Sequence, residues 1–186
     1  MKTSRLNKEI VIECAMDLVC ESGINGLRLN KIADRLDVKS PSLYTHTGSV
    51  TELRQTVIGR AMEGFREQLV DSLLGRADLC AFVELGKTWA AYAKNQHAFY
   101  TVFYEKEYID SYEKSISVFL RAAFERIFLK CNLTDQELIQ VERVMTNYFR
   151  GHADGFADTN FKEAELISDL EILYNGILQN FSKVSQ

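Results

Sequence analysis

Apolar residues recur at every third or fourth position along most of the chain, which is the period of an α-helix. One stripe runs through Leu6, Ile10 and Cys14, and another runs through Leu53 and Val57. The pattern predicts an all-α fold of about nine helices. We expect helices at about 4–22, 29–36, 41–46, 50–74, 108–130 and 161–181. We also expect a fifth helix with Asp78 as its N-cap and a break at Asn95-Gln96, one or two turns within 97–104, and a helix with Thr134 as its N-cap.

Hydroxyl residues and a proline mark several of the predicted helix starts. Ser40 is expected to cap the third helix, with Pro41 at its first position, where a missing N–H costs little. Ser49 is expected to cap the fourth helix. Thr134 and Glu137 have the spacing of a capping box at the start of the eighth.

Composition fits a packed helical protein and argues against several other classes. Of the 186 residues 46% are hydrophobic, enough for a sizeable core. The four cysteines have no C-x-x-C spacing and no histidine cluster beside them, so we expect reduced, buried thiols and no zinc. No signal peptide or membrane span is recognisable. We therefore expect a cytoplasmic protein that needs no metal or other cofactor.

Charge is divided unevenly between a small head and a larger body. Residues 1–60 hold nine Lys and Arg against seven Asp and Glu, whereas the formal net charge of the whole chain is −4. An acidic body repels phosphate, which leaves the head as the surface that could meet a nucleic acid. We predict a domain boundary between 1–49 and 50–186, with the fourth helix as the connector.

The segment from Leu29 to His46 has the most specific pattern in the chain. Its two predicted helices are short, and their apolar residues meet only if the second crosses the first. That is the helix-turn-helix arrangement, whose second helix enters the major groove of DNA. From these residues alone, an ordinary helical hairpin with a solvated polar face is an equally good interpretation.

If the segment binds DNA, the side chains have distinct expected roles. Ser42 could hydrogen-bond to a base or a phosphate, and the ring of Pro41 could touch a thymine methyl group. Lys39 and Tyr44 are better placed for phosphates.

A wider set of residues around this segment forms a family pattern: Ala15-Met16-Asp17-Leu18-Val19 with Gly23, then Ile32-Ala33, Leu36, Val38, Pro41-Ser42-Leu43-Tyr44, His46 and Leu53. On this pattern, residues 3–65 resemble the N-terminal domain of the TetR family of transcriptional regulators. The resemblance implies a two-fold dimer that inserts helix three of each head into a palindromic DNA operator. It also implies that helices eight and nine form the dimer and that a small-molecule effector binds among helices five to seven.

The resemblance and the helix-turn-helix pattern together predict the DNA-binding residues, which are Arg28, Asn30, Lys39, Ser40, Pro41, Ser42, Tyr44, Thr45 and His46. Three positions depart from the family pattern. Asp37 replaces a turn glycine, and Arg28 replaces a Ser or Thr helix cap. Gly48-Ser49-Val50 lacks a lysine that many members carry, so DNA affinity would either be lower or depend more on Lys2, Arg5 and Lys39.

The body is rich in aromatic residues. Trp89-Ala90-Ala91-Tyr92-Ala93 and His97-Ala98-Phe99-Tyr100 are similar to a WHG-type C-terminal domain found on some TetR-like regulators. Aromatic rings with a few polar tips suit a small-molecule pocket, although each ring taken singly is better explained as core. With Tyr100 beside them, the predicted effector-binding residues are Trp89, Tyr92, Phe99, Phe103, Tyr104, Phe119 and Tyr148.

Two functions fit these expectations. One is a ligand-responsive transcriptional repressor that binds DNA as a homodimer. The other is a protein-interaction adaptor with the same fold and no operator binding, suggested by the missing lysine and the modest charge of the head. We do not expect an enzyme, because no nucleophile, base and orienting group can be assembled from the sequence.

Overall fold

The protein is built from helices. A computed structural model describes residues 6–157 and 162–181, and within those ranges the regular structure is helical, without strands. This confirms the all-α prediction. The helices are α1 Lys8–Ser22, α2 Leu29–Leu36, α3 Ser40–Thr47, α4 Val50–Leu73, α5 Asp78–Asn95, α6 His97–Tyr100, α7 109–127, α8 Asp135–Ala157 and α9 Glu163–Phe181.

The ends of the N-terminal helices differ slightly from the predicted ones. α1 begins at Lys8, where the Oδ1 atom of Asn7 accepts a hydrogen bond from the backbone N–H of Ile10 at 2.9 Å. The residues Lys2 and Arg5, predicted to support DNA binding, lie outside the described residues.

The prediction that Ser40 caps α3 is wrong. Lys39 is the last extended residue before α3, so Ser40 already belongs to the helix and Pro41 is its second residue. Proline is tolerated there because the N–H groups of the first turn have no partner within the helix.

Capping boxes fix the starts of two long helices. At α4, the Ser49 hydroxyl accepts from the Glu52 N–H at 3.1 Å, and the Glu52 carboxylate accepts from the Ser49 N–H at 2.6 Å. At α8, Thr134 and Glu137 make the corresponding pair of bonds, as the spacing predicts.

α7 contains a winding that the apolar pattern did not indicate. It consists of Ile109–Tyr112, a π-helical segment Glu113–Ser117, and Val118–Ile127. A π-helical turn takes one more residue than an α-helical turn and shifts the register of the helix faces. Ser117 is thereby fully buried, and its hydroxyl donates to Glu142 on α8 at 3.1 Å.

α4 connects the head of α1–α3 to the body. Its residues Leu53, Val57, Ala61, Phe65 and Leu69 are buried along one face. They join a continuous apolar core that extends from α1 to α9. None of the helices within residues 6–157 and 162–181 combines the length and apolar character of a membrane-spanning segment.

Candidate nucleic-acid interface and interior cavities

α2 and α3 form the predicted crossed pair. Ile32, Ala33 and Leu43 are buried between the two helices and α1. The turn depends on Asp37, which has a left-handed backbone (φ 53°, ψ 46°), a conformation aspartate adopts more readily than most residues. The N–H of Val38 then donates to the carbonyl of Ala33 at 3.0 Å and closes the turn.

The outer side of α3 is open to solvent. Tyr44 is 57% exposed, which is unusual for so large a ring. Among the predicted DNA-binding residues, Ser40 and His46 are half-buried and the exposed ones are Arg28, Asn30, Lys39, Pro41, Ser42, Tyr44 and Thr45. The fold thus brings all nine to the surface of α2, α3 and the turn between them.

Two of these side chains also bond within the protein. The Thr45 hydroxyl donates to the carbonyl of Ser42 at 2.9 Å, so its oxygen keeps only its acceptor capacity for a ligand. The Asn30 Oδ1 atom accepts from the N–H of Lys31 at 2.9 Å, which leaves its amide N–H groups to donate.

A carboxylate lies at the start of α4, next to this surface. The bond from the Ser49 N–H lowers the pKa of Glu52 below its ordinary value, so Glu52 is negatively charged at neutral pH. The N-terminus of a helix otherwise favours an external anion such as phosphate. Sequence reasoning identified Ser49 as a cap and missed Glu52, although the Ser-x-x-Glu spacing carries that signal.

Four of the seven predicted effector-binding residues are closed into the core. Trp89, Tyr92, Phe99 and Phe103 are 0–4% exposed. Trp89 stacks on the ring of Phe149 with centroids 4.6 Å apart.

The polar atoms of these aromatic side chains also form hydrogen bonds within the protein. The indole N–H of Trp89 donates to the Tyr100 hydroxyl at 2.9 Å, and the Tyr92 hydroxyl donates to the carbonyl of Ala61 at 2.9 Å. These four rings pack against one another and their neighbours as core in this structure, and their role in effector binding stays a prediction.

The other three predicted residues are half-buried, at different places. Tyr104 lines a small cavity of about 240 Å³, where the guanidinium of Arg150 lies 4.4 Å from its ring centroid. The Tyr148 hydroxyl donates to the Asp169 carboxylate at 3.1 Å. Phe119 lines a larger cavity of about 550 Å³ at the far end of α4.

Sequence comparison relates part of the chain to known regulators. No protein-family model matches it. The class D tetracycline repressor of Escherichia coli is 32% identical over 92 residues, which are 50% of this chain and 37% of the repressor. YobS of Bacillus subtilis, an uncharacterized HTH-type transcriptional regulator, is 23% identical over 95 residues, 51% of this chain and 50% of YobS. The chain thus spans half or less of the curated relatives it matches.

Structure comparison covers nearly the whole chain. PfmR of Thermus thermophilus, a TetR family transcriptional regulator, superposes with a TM-score of 0.66, covering 89% of this chain and 97% of PfmR at 16% identity. This likeness shows the fold, and the tetracycline repressor match adds sequence evidence. The chain therefore has the fold of TetR family regulators, and about half of it is similar in sequence to tetracycline repressors. The resemblance recognised from its helix-turn-helix residues is therefore confirmed, while the WHG-type detail stays a prediction.

Proposed function

We propose that this protein is a ligand-responsive transcriptional regulator of the TetR type, a repressor that binds a palindromic operator as a homodimer. The observation that carries the proposal is the outer side of α3, where Pro41, Ser42 and Tyr44 are exposed while Leu43 anchors the helix in the core. Recognition helices present base-contacting residues in this way. Lys39 and Arg28 flank them with positive charge suited to phosphates.

An apolar face on α8 and α9 supports the homodimer. Ile139, Val144 and Ile172 are 46%, 41% and 67% exposed, and apolar residues of both helices line a shallow groove between them. Clustered apolar exposure of this kind is typical of a protein–protein interface. A second copy of the chain packed on this face would bury it, with two helices from each protomer.

Selection of DNA sites from a random library by the purified protein tests the proposal directly. A two-fold symmetric site, with half-sites about one helical turn apart, is the expected result. A protein that selects no sequence, or sites without symmetry, would contradict it.

Substitutions on α3 then test the docking surface. Tyr44→Ala and Lys39→Ala should each weaken binding to the selected site by about tenfold, because each removes a hydrogen bond to a charged phosphate. Leu129→Ala and Lys94→Ala, at exposed positions of the body, serve as matched controls. Unchanged gel-shift affinity for both α3 variants would show that α3 is not the docking surface.

The adaptor remains the second candidate because of Glu52. Its carboxylate occupies the start of α4 and repels a phosphate there. A repressor and an adaptor differ in their response to salt: operator affinity falls steeply with ionic strength when phosphates are bound, whereas an adaptor binds no DNA at any salt concentration.

Effector control requires a ligand with different affinities for two arrangements of the heads. α4 is the element through which a ligand in the body would act, because it contacts both α1 in the head and α5 in the body. Operator affinity measured with and without a bound ligand is the test.

A further inference from the structure

A cavity at the far end of α4 has the chemistry of a ligand site. It has a volume of about 550 Å³, within the range of small-molecule pockets. Its walls come from the end of α4, the loop 74–77, the start of α5 and the last turns of α7. Of the predicted effector-binding residues, only Phe119 contributes to it.

The interior of this cavity is mainly apolar and is kept open by small side chains. Val70 and Leu73 of α4 face Phe119 and Ile127 of α7. The lining also includes four alanines, and these leave space that larger residues would fill: Ala77, Ala81, Ala122 and Ala123. A hydrocarbon chain or ring placed here would remove apolar surface from water.

Two arginines give the cavity a positive charge. Arg76 and Arg126 both line it, and none of its lining residues within the described chain is acidic. The Nη1 atom of Arg76 donates to the carbonyl of Ser72 at 3.1 Å, which holds the side chain at the end of α4. Arg126 has no ion pair among residues 6–157 and 162–181.

The backbone at the start of α5 adds to this preference for an anion. Ala77 lines the cavity and precedes α5 without a side-chain cap, so the first N–H groups of α5 have no side-chain acceptor at that position. The neighbouring acid, Asp78, is paired with Lys130 at 3.2 Å.

We infer that this cavity binds an amphipathic carboxylate, with its apolar body between α4 and α7 and its carboxylate at Arg76 and Arg126. Arginine suits a carboxylate because its guanidinium can make two parallel hydrogen bonds. The inference deepens the proposed function and rests on it for the link to DNA: such a ligand touches the C-terminal end of α4, whose other end meets the head.

Calorimetric titration of the full chain with decanoate, decanol and decylamine tests the inference. Decanoate should bind once per chain and bind at least about tenfold more tightly than decanol or decylamine, because only it is an anion. Equal affinity for decanol would overturn the role of the arginines. No saturable decanoate binding would overturn the site.

Substitutions locate the binding. Arg126→Gln should weaken decanoate binding by about tenfold, whereas Lys114→Gln, which removes a charge from an exposed position of the same helix, should not. Ala122→Leu adds bulk to the cavity from an exposed position, so we expect the variant to fold, and Ala91→Leu is the matched control in a different cavity. Unchanged decanoate binding in Arg126→Gln and Ala122→Leu would contradict the inference.

DNA-site selection with the same protein separates this inference from the proposed function. If the chain binds decanoate but selects no DNA site, the ligand site is supported and the proposed regulatory function is wrong. If the chain selects an operator but does not bind decanoate, the proposed regulatory function is supported and the ligand site is wrong.

Discussion

At the scale of single residues, Glu142 is a carboxyl group that is largely buried, where its charged form is disfavoured. Its side chain is 12% exposed between α7 and α8, where it accepts from the Ser117 hydroxyl and lies 3.7 Å from the guanidinium of Arg121. Burial raises its pKa above the ordinary value of 4.5, in spite of these two partners.

This raised pKa predicts a pH-dependent effect of one substitution. The folded chain binds the Glu142 proton more tightly than the unfolded chain, so this stabilising contribution is full below about pH 4.5 and is lost as pH rises through the folded value. Glu142→Gln stays neutral and still accepts from Ser117, so it should raise the thermal midpoint at pH 8, with a gain that shrinks toward pH 5. Thermal unfolding across this range measures it. Glu125→Gln, exposed on α7, should show no such trend, and a gain that does not depend on pH would contradict the assignment.

Glu52 provides a second prediction at this scale. Glu52→Gln removes the negative charge at the start of α4 while its side-chain oxygen can still accept from Ser49. DNA affinity should rise about twofold at low salt, because a charge at about 8 Å from a phosphate contributes about 0.5 kcal/mol in water. Fluorescence anisotropy with labelled operator measures the change. Glu67→Gln makes the same change in net charge at an exposed position farther along α4, and an equal gain there would point to net charge alone.

At the scale of elements, the contact between α5 and α9 depends on a glycine. A Cβ atom at Gly86 would lie 2.5 Å from the Cδ1 atom of the fully buried Leu170, and 3.3 Å from its Cγ atom. Leu170 cannot move aside cheaply in a packed core, so the two helices approach closely only because residue 86 has no side chain.

Two glycine-to-alanine substitutions should therefore have opposite effects on the free energy of unfolding. Gly59→Ala in α4, where a Cβ atom meets nothing within 4 Å, should add about 0.5–1 kcal/mol from helix propensity. Gly86→Ala should cost about 1 kcal/mol or more, because overpacking outweighs that gain. Denaturant unfolding of both variants is the measurement, and equal gains at the two sites would show that the α5–α9 contact is loose.

Most of the helices could be predicted from the sequence because their signals are local. The capping pairs at Ser49 and Thr134 act within one turn, and the predicted bounds of α2 agree with the structure at both ends. The π-helical winding of α7 could not be predicted in this way, since it depends on how Ser117 meets α8. Features that depend on contacts between helices, rather than on neighbouring residues in the sequence, could not be predicted.

The same distinction between local sequence signals and tertiary contacts applies to the candidate sites. Exposure of Tyr44 follows from helical periodicity around Leu43, so the surface of α3 was predictable. Whether Trp89 lines a cavity or fills one depends on Phe149 and Tyr100, which come from other helices. Arg126 showed no signal in the sequence, because only the fold brings it and Arg76 to the lining of one cavity.

At the scale of the whole molecule, the exposed apolar face of α8 and α9 predicts the assembly. A chain of 21.3 kDa should behave as a dimer of twice that mass in light scattering. Ile172→Lys should convert it to a monomer at micromolar concentration, because the new charge would be buried without a partner. Leu129→Lys, at a position 72% exposed elsewhere, should leave the mass unchanged. A dimer that survives Ile172→Lys would place the interface on another face.

The unbroken length of α4 makes small movements in the body large at the DNA. Its 24 residues form a rod about 36 Å long, so a tilt of about 10° at one end would carry the other end about 6 Å sideways. The major groove is only about 12 Å wide, and a displacement of that size takes a recognition helix half-way out of register. A molecule that displaces the last turn of α4 by little more than a bond length would therefore be enough to move the recognition helices of both protomers out of the major groove.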